Sequence, residues 1–300
     1  MASMTASDEA LHARMPASLA GVPRLDPGRT AKVLDRVSHG GLWLVGIGSL
    51  VFLLAPMVVI VLASFNRAPS LSVPPRNWTL ASYAAISDAL YESFFVSVRL
   101  AVLATLISVV LAIPLCFWVA RTRGPVASGA DTFFRSPLQV PQIVLGVSLY
   151  QSFVFYQELS GVSLRASFTG LLFAHVILVT PYVVAVCVSS IQGRGMDMEL
   201  AAANLGASPF RIFLQISLPA IRQAVVASSI LAMLISFDNV PLSLFLVGPG
   251  ATPLPVQLFS LSEQNLTPTL YAAATLTVVF SIVVTAILEK VVGLRTALQR

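Results

Sequence analysis

Residues 199–219 read ELAAANLGASPFRIFLQISLP, and they stand between two long apolar runs. The stretch holds one Glu, one Arg, one Gly and two Pro. A compact, patterned, polar-tipped segment set into hydrophobic sequence raises two questions: which side of a membrane it occupies, and what touches it there.

The membrane itself follows from composition. Of the 300 residues, 56% are hydrophobic and only 10% are charged, with mean hydropathy +0.85. A soluble domain of this length carries far more charge. Six stretches are apolar over the ~20 residues that a helix needs to cross a hydrocarbon core. They are 41–65, 94–120, 137–157, 167–191, 221–247 and 268–290. The runs are continuous rather than alternating, which favours helices over a barrel, and a helix satisfies its own backbone groups in lipid. The expectation is an all-α polytopic membrane protein of six transmembrane helices.

The ends divide off by composition. Residues 1–38, with Pro16, Pro23, Pro27 and five Lys/Arg, read as a disordered cytoplasmic tail. No small-residue cleavage site follows the first apolar run, so that run is expected to stay as a span. Residues 39–90 then hold the first span and an outer loop, 91–290 the transmembrane core, and 291–300 a short cytoplasmic tail. Cys116 and Cys187 fall inside apolar runs and read as small buried hydrophobes. They offer no disulfide framework and no metal-ligand spacing.

Charge sets the orientation. With both termini inside, the inner segments collect fourteen of the eighteen Lys/Arg, including Arg121, Arg123, Arg135, Arg194, Arg211 and Arg222. The outer side keeps Arg67, Arg76 and Arg165, with Arg99 in the outer part of the second span. Positive residues stay inside, so the reverse orientation is disfavoured. The pI near 9.6 then reflects anchoring to anionic lipid. No basic face interleaved with aromatics points to nucleic acid. Arg99 is expected to snorkel outward. His175 is expected to be a hydrogen-bonded interior histidine.

On the inner face, the quoted stretch spells out local structure. Asp197 can cap a short helix, with Glu199 in its first turn where the helix dipole favours a carboxylate. Ala201, Ala202 and Ala203 are strong helix formers, and Gly206 can end the helix in the left-handed region. Ser208-Pro209 reads as an N-cap with proline at the first helical position. At helical spacing Phe210, Phe213, Leu214 and Ser217 share a face, and Pro219 turns the chain into the fifth span.

This pattern resembles the cytoplasmic coupling loop of ABC importer permeases: Glu-Ala-Ala, three residues, Gly, nine residues, Ile, one residue, Leu-Pro. Ala201 and Ala202, Gly206, Ile216, Leu218 and Pro219 stand in those places. The departure is at the glutamate, where Leu200 stands and Glu199 comes one residue early. The resemblance covers roughly residues 90–290. It implies a permease of the type I importer architecture in a bacterial inner membrane, with the loop at 195–219 docking into a cleft of a separate ATPase subunit. It also implies a second permease subunit and a solute-binding protein outside. ATP would be bound by the partner, because this chain has no G-x-x-x-x-G-K-[ST] phosphate loop, and no cofactor of its own is expected.

Two further stretches, ASFN (63–66) and ISFDNVPLSLFLVGPGATPLPVQLFSL (235–261), look like the spermidine/putrescine branch of these permeases. The resemblance implies import of a small organic cation such as a polyamine. Related branches import iron, sulfate, thiamine or phosphonates. Asp238 is the one carboxylate placed well inside a predicted span, and an intramembrane acid usually serves a pathway or a pair. It reads either as a substrate-path acid or as a hydrogen-bond partner of Asn239 or Ser236 beside Pro241. An intramembrane enzyme is the competing class, but there is no H-E-x-x-H, no nucleophile elbow and no partner acid in another span. No catalytic residue is assigned. A channel without an energy source is the third class.

Overall fold

The computed structural model describes residues 27–66, 74–75, 77–122 and 124–292. Among them the secondary structure is helical apart from one isolated bridge between Asn66 and Trp78. The long helices are α1 (Pro27–Ser64), α3 (Asp88–Arg121), α5 (Gln142–Ser160), α6 (Phe168–Gln192), α10 (Arg222–Phe237) and α12 (Pro268–Val292). Shorter helices join them: α2 (Ala81–Ala84), α4 (Pro125–Arg135), α7 (Asp197–Asn204), α8 (Pro209–Ile212), α9 (Leu218–Ala220) and α11 (Leu254–Ser262). Among the described residues four helices are long and apolar enough to cross a membrane, and up to six when each of two bent helix pairs counts as one span.

The chain forms two units, residues 1–56 and 57–300. In the first, α1 exposes a continuous apolar surface, including Leu42, Trp43, Phe52 and Leu53. Residues 27–38 of the expected tail belong to this helix, and 1–26 lie outside the described residues. At the other end 293–300 likewise lie outside them.

The second unit is built around α3, α6 and α10. Apolar burial does not drive helices together in lipid, so small residues and interhelical hydrogen bonds carry much of the association. The buried side of α3 is a row of such residues: Ala101, Ala104, Ser108, Ala112 and Cys116. Ser108 donates to the Val176 carbonyl of α6 at 3.3 Å and accepts from Thr180 at 3.0 Å. Cys116 and Cys187 are both fully buried and unpaired, as read from their neighbours in sequence. A second core cluster joins Ile86 and Leu90 to Leu254 of α11 and to Ala272 and Ala273 of α12. The Leu254 amide donates to Ser97 of α3 at 2.7 Å, which pins α11 to the bundle.

Three spans differ from the hydropathy reading. The second helix is longer than 94–120, starting at Asp88. Residues 124–136 are largely helical: α4 and a 3-10 turn (Ser136–Gln139) meet α5 at 106°, so the long helix of the third apolar run starts at Gln142 and not at 137. Pro141 causes the break, because the residue before a proline avoids the helical region and proline lacks the N–H. The fifth span is not one helix over 221–247. Helix α10 ends at Phe237, and the chain continues as a turn and a short 3-10 segment (Ser243–Phe245). Pro241 cannot continue a helical ladder. Hydropathy is blind to such breaks because they keep the same apolar composition.

Buried polar side chains hold the broken end of α10. His175 of α6 is fully buried, with Nδ1 2.8 Å from Ser236 Oγ and Nε2 2.9 Å from Ser243 Oγ. A neutral imidazole has one donor and one acceptor, and a hydroxyl answers either. His175 is therefore the hydrogen-bonded interior histidine expected from the sequence, and it clamps both sides of the break. Asn239 donates to Gln142 Oε1 at 2.8 Å and accepts from the Leu242 amide at 3.1 Å.

Candidate functional site

The 195–219 segment is two short helices joined by a tight turn. Helix α7 ends on a paired hydrogen-bond motif: Ala207 N donates to the Ala202 carbonyl at 3.0 Å and Gly206 N to the Ala203 carbonyl at 2.9 Å. This closing motif needs a left-handed residue, and Gly206 supplies it at φ +82°. Ser208 caps α8 as read from the sequence, accepting from the Arg211 amide at 3.4 Å with Pro209 next in line. At the start of α7 the cap position falls to Met196. Asp197 is the first helical residue and makes no side-chain cap bond, so its expected capping role is corrected.

The expected shared face of Phe210, Phe213, Leu214 and Ser217 is also corrected. Phe213–Ser217 form a π-helical turn, and its wider spacing takes these residues off the 3.6-residue period. Phe213 packs edge-on against Phe117 of α3, with ring centroids 5.1 Å apart. Phe210 points away and is 71% exposed, and Leu205 at the turn is 89% exposed. Ser217 is buried. Helix α10 then leaves at 68° to the preceding helical stretch, with Ile221 at the joint.

Glu199 receives a place that its off-register position in the motif did not suggest. Its Oε1 lies 2.9 Å from Arg121 Nη2, at the C-terminal end of α3, and accepts from Ser217 Oγ at 2.8 Å. Arg121 also donates through Nη1 to the Arg194 carbonyl at 3.3 Å. The pair is mostly buried, with side chains 19% and 17% exposed. A cavity of about 240 Å³ lies beside it, lined by Phe117, Arg194, Met198 and Ile216 among others. Of the remaining motif residues, Ala201, Gly206 and Pro219 are exposed, while Ala202 and Leu218 are half-buried. The motif therefore has two sides: Glu199, Ile216 and Ser217 face the bundle, and Ala201, Leu205 and Phe210 face outward. Sequence reasoning counted Arg121 only as an inner charge. The available sign was its place in the last turn of a helix, where a cation is favoured.

Asp238 lies at the opposite end of α10 from that segment. It is the C-cap residue of α10 and not a mid-helix acid. Among the described residues its carboxylate has no hydrogen-bond or ion-pair partner, while Asn239 and Ser236 are engaged with Gln142 and His175. Asp238 lines two cavities, of about 500 Å³ and 440 Å³. Arg99 stands with its guanidinium 4.6 Å above the Phe168 ring centroid, a cation–π contact that suits an exposed cation.

Comparison with known proteins agrees with this architecture. Residues 79–297 match the family of the binding-protein-dependent transport system inner membrane component. The putrescine transport system permease protein PotI of Escherichia coli is 31% identical over 230 residues, 75% of this chain and 81% of that protein. The spermidine/putrescine transport system permease protein PotC of Haemophilus influenzae is 34% identical over 77% of this chain and 88% of its own length. A molybdenum transport system permease protein, ModB of Mycobacterium bovis, is 29% identical over 74% of this chain and 84% of its own. In fold, the chain resembles the structure of a bacterial ABC transporter that imports the acidic polysaccharide alginate. The TM-score is 0.66 at 14% identity, covering 87% of this chain and 97% of the other. The spans, the bent 195–219 segment and the match over 79–297 place this chain in the family of binding-protein-dependent inner-membrane transport components, as a multi-pass ABC importer permease.

Proposed function

We propose that this chain is a membrane-spanning subunit of a polyamine importer, with both termini in the cytoplasm. It pairs with a second permease subunit, identical or homologous, and takes putrescine or spermidine from a solute-binding protein outside. Separate ATPase subunits drive it, each receiving a 195–219 segment. The observation that carries this reading is the two-sided segment: Glu199 ties it to the second span while Leu205 and Phe210 stand exposed. An exposed apolar tip on a rigid mount suits a protein partner, and the mount gives partner motion a route into α3. Small Ala201 and Ala202 allow close backbone approach there.

The cargo follows from identity to the polyamine permeases and from Asp238. The cavities that Asp238 lines contain a carboxylate and no Lys, Arg or His. This disfavours an anionic cargo and suits a cation.

Co-purification and uptake test the reading together. An affinity-tagged chain expressed with its neighbouring genes is expected to bring down an ATPase, and the cells to accumulate radiolabelled putrescine in an ATP-dependent manner. A chain that purifies alone, in cells that take up no polyamine, overturns it.

A further inference from the structure

The two cavities beside Asp238 share more than the carboxylate. Thr277 and Val278 of α12 line both of them. The smaller one continues past Tyr271 and Phe259, and the larger past Ser281 and Thr285. Thr277, Ser281 and Thr285 are spaced i, i+4, i+8, so they lie on one side of α12, each about 6 Å further along the axis. With Pro268 at the outer end of α12, this row descends from Asp238 toward the inner face.

The state of these hydroxyls is uneven. Thr285 Oγ1 donates to the Ser281 carbonyl at 2.7 Å, as Thr275 Oγ1 does to Tyr271 at 2.8 Å. Thr277 Oγ1 is buried and has no such partner among the described residues. A buried hydroxyl without a partner is uncommon and calls for an explanation. Thr277 also lines both cavities at Asp238, and rotation about its χ1 would turn the unpartnered hydroxyl toward a passing group.

The chemistry of the row selects a class of ligand. Oxygen acceptors with a single carboxylate suit an alkylammonium, which carries three donors and no acceptor. Val278, Ile282 and Met57 between and opposite the hydroxyls suit methylene groups. A hard divalent ion demands six or more oxygens in a closed shell, which this open row does not offer. Two ammonium groups joined by four methylenes span about one step of the row.

We propose that Thr277, Ser281 and Thr285 form a hydroxyl track that takes the ammonium groups of a linear aliphatic diamine from Asp238 and passes them inward. The track rests on the polyamine reading above and adds residues to it. Neutral hydroxyls make shallow wells, which suits a path that must release its cargo.

The test uses the complete transporter in cells, with radiolabelled putrescine as the probe. Thr277→Val keeps the shape and removes the hydroxyl, and Ser281→Ala does the same with little loss of volume. Each is expected to slow uptake at saturating putrescine at least threefold, and the double variant at least tenfold, at equal membrane levels. Thr277→Ser, which keeps the hydroxyl, is expected to stay near wild type. Wild-type rates in both hydroxyl-less variants overturn the track and leave the polyamine reading standing. A wild-type transporter that takes up no diamine overturns that reading and the track with it. Labelling supplies a second measurement should a variant fail to accumulate. Ser281→Cys is exposed to an aminoethyl methanethiosulfonate, against a background of native cysteines that are fully buried. Putrescine is expected to slow its modification at least threefold, and an unchanged rate overturns the track.

Discussion

Arg121 Nη2, on the last residue of α3, lies 2.9 Å from Glu199 Oε1 on α7, 78 residues further along the chain. Ser217 completes the arrangement from the π turn, so one carboxylate gathers the second span and both ends of the 195–219 segment. Removing one partner leaves a largely buried charge without its hydrogen bonds, at a cost of about 2 kcal/mol. Arg121→Ala and Glu199→Ala are each expected to lower uptake roughly 25-fold, following that cost at ~1.4 kcal/mol per decade. The exchanged pair Arg121→Glu with Glu199→Arg is expected to recover part of it. A double variant no better than the singles would remove the pair from the coupling route.

Gly206 tests the turn between α7 and α8. At φ +82° a β-branched side chain is strained by about 1–3 kcal/mol. Open space surrounds the position, so strain and not a clash is the cause. Gly206→Val is expected to insert and accumulate normally but lose ATPase association and uptake, while Gly206→Asn, which tolerates the left-handed region, keeps most of both. Full association and uptake in a well-expressed Gly206→Val protein speaks against docking through this turn.

Orientation is checked by reporter fusions. With the positive residues inside, a fusion after Gly195 is expected to report the cytoplasm and one after Pro255 the outer side. The opposite pair of results removes the 195–219 segment from any cytoplasmic ATPase.

At the break of the fifth span, Asp238→Asn keeps size and hydrogen-bonding capacity and removes the charge. Because the carboxylate has no partner to lose among the described residues, the variant is expected to assemble normally and transport a cation at least tenfold more slowly. Asp238→Ala is expected to assemble just as well. An unstable Asp238→Ala beside a fully active Asp238→Asn indicates a structural residue instead.

His175 clamps the same break from inside. His175→Ala removes two buried hydrogen bonds and leaves a cavity, with an expected loss of about 2–4 kcal/mol. The measurement is the thermal aggregation temperature in detergent, which is expected to fall by several degrees. No change there means that Ser236 and Ser243 hold the break by themselves.

Read by itself, the amino-acid sequence determined the class of protein, the approximate places of the apolar spans and the turn from Gly206 to Pro209. These depend on short-range physics. A span needs only enough apolar residues in a row, and caps, a left-handed glycine and an N-terminal proline act within one turn. Gly206, Ser208-Pro209 and the interior role of His175 were therefore legible. Tertiary structure alone decided the rest. The partner of Glu199 lies 78 residues away, and no spacing within the motif can point to it. The end of α10 at Phe237 depends on Pro241 together with hydrogen bonds from His175 and Gln142, which belong to other helices. The π turn moved Phe210 off the bundle and Ser217 onto Glu199. The end of α10 leaves the Asp238 carboxylate lining cavities beside α12, where the sequence suggested an acid within a continuous helix.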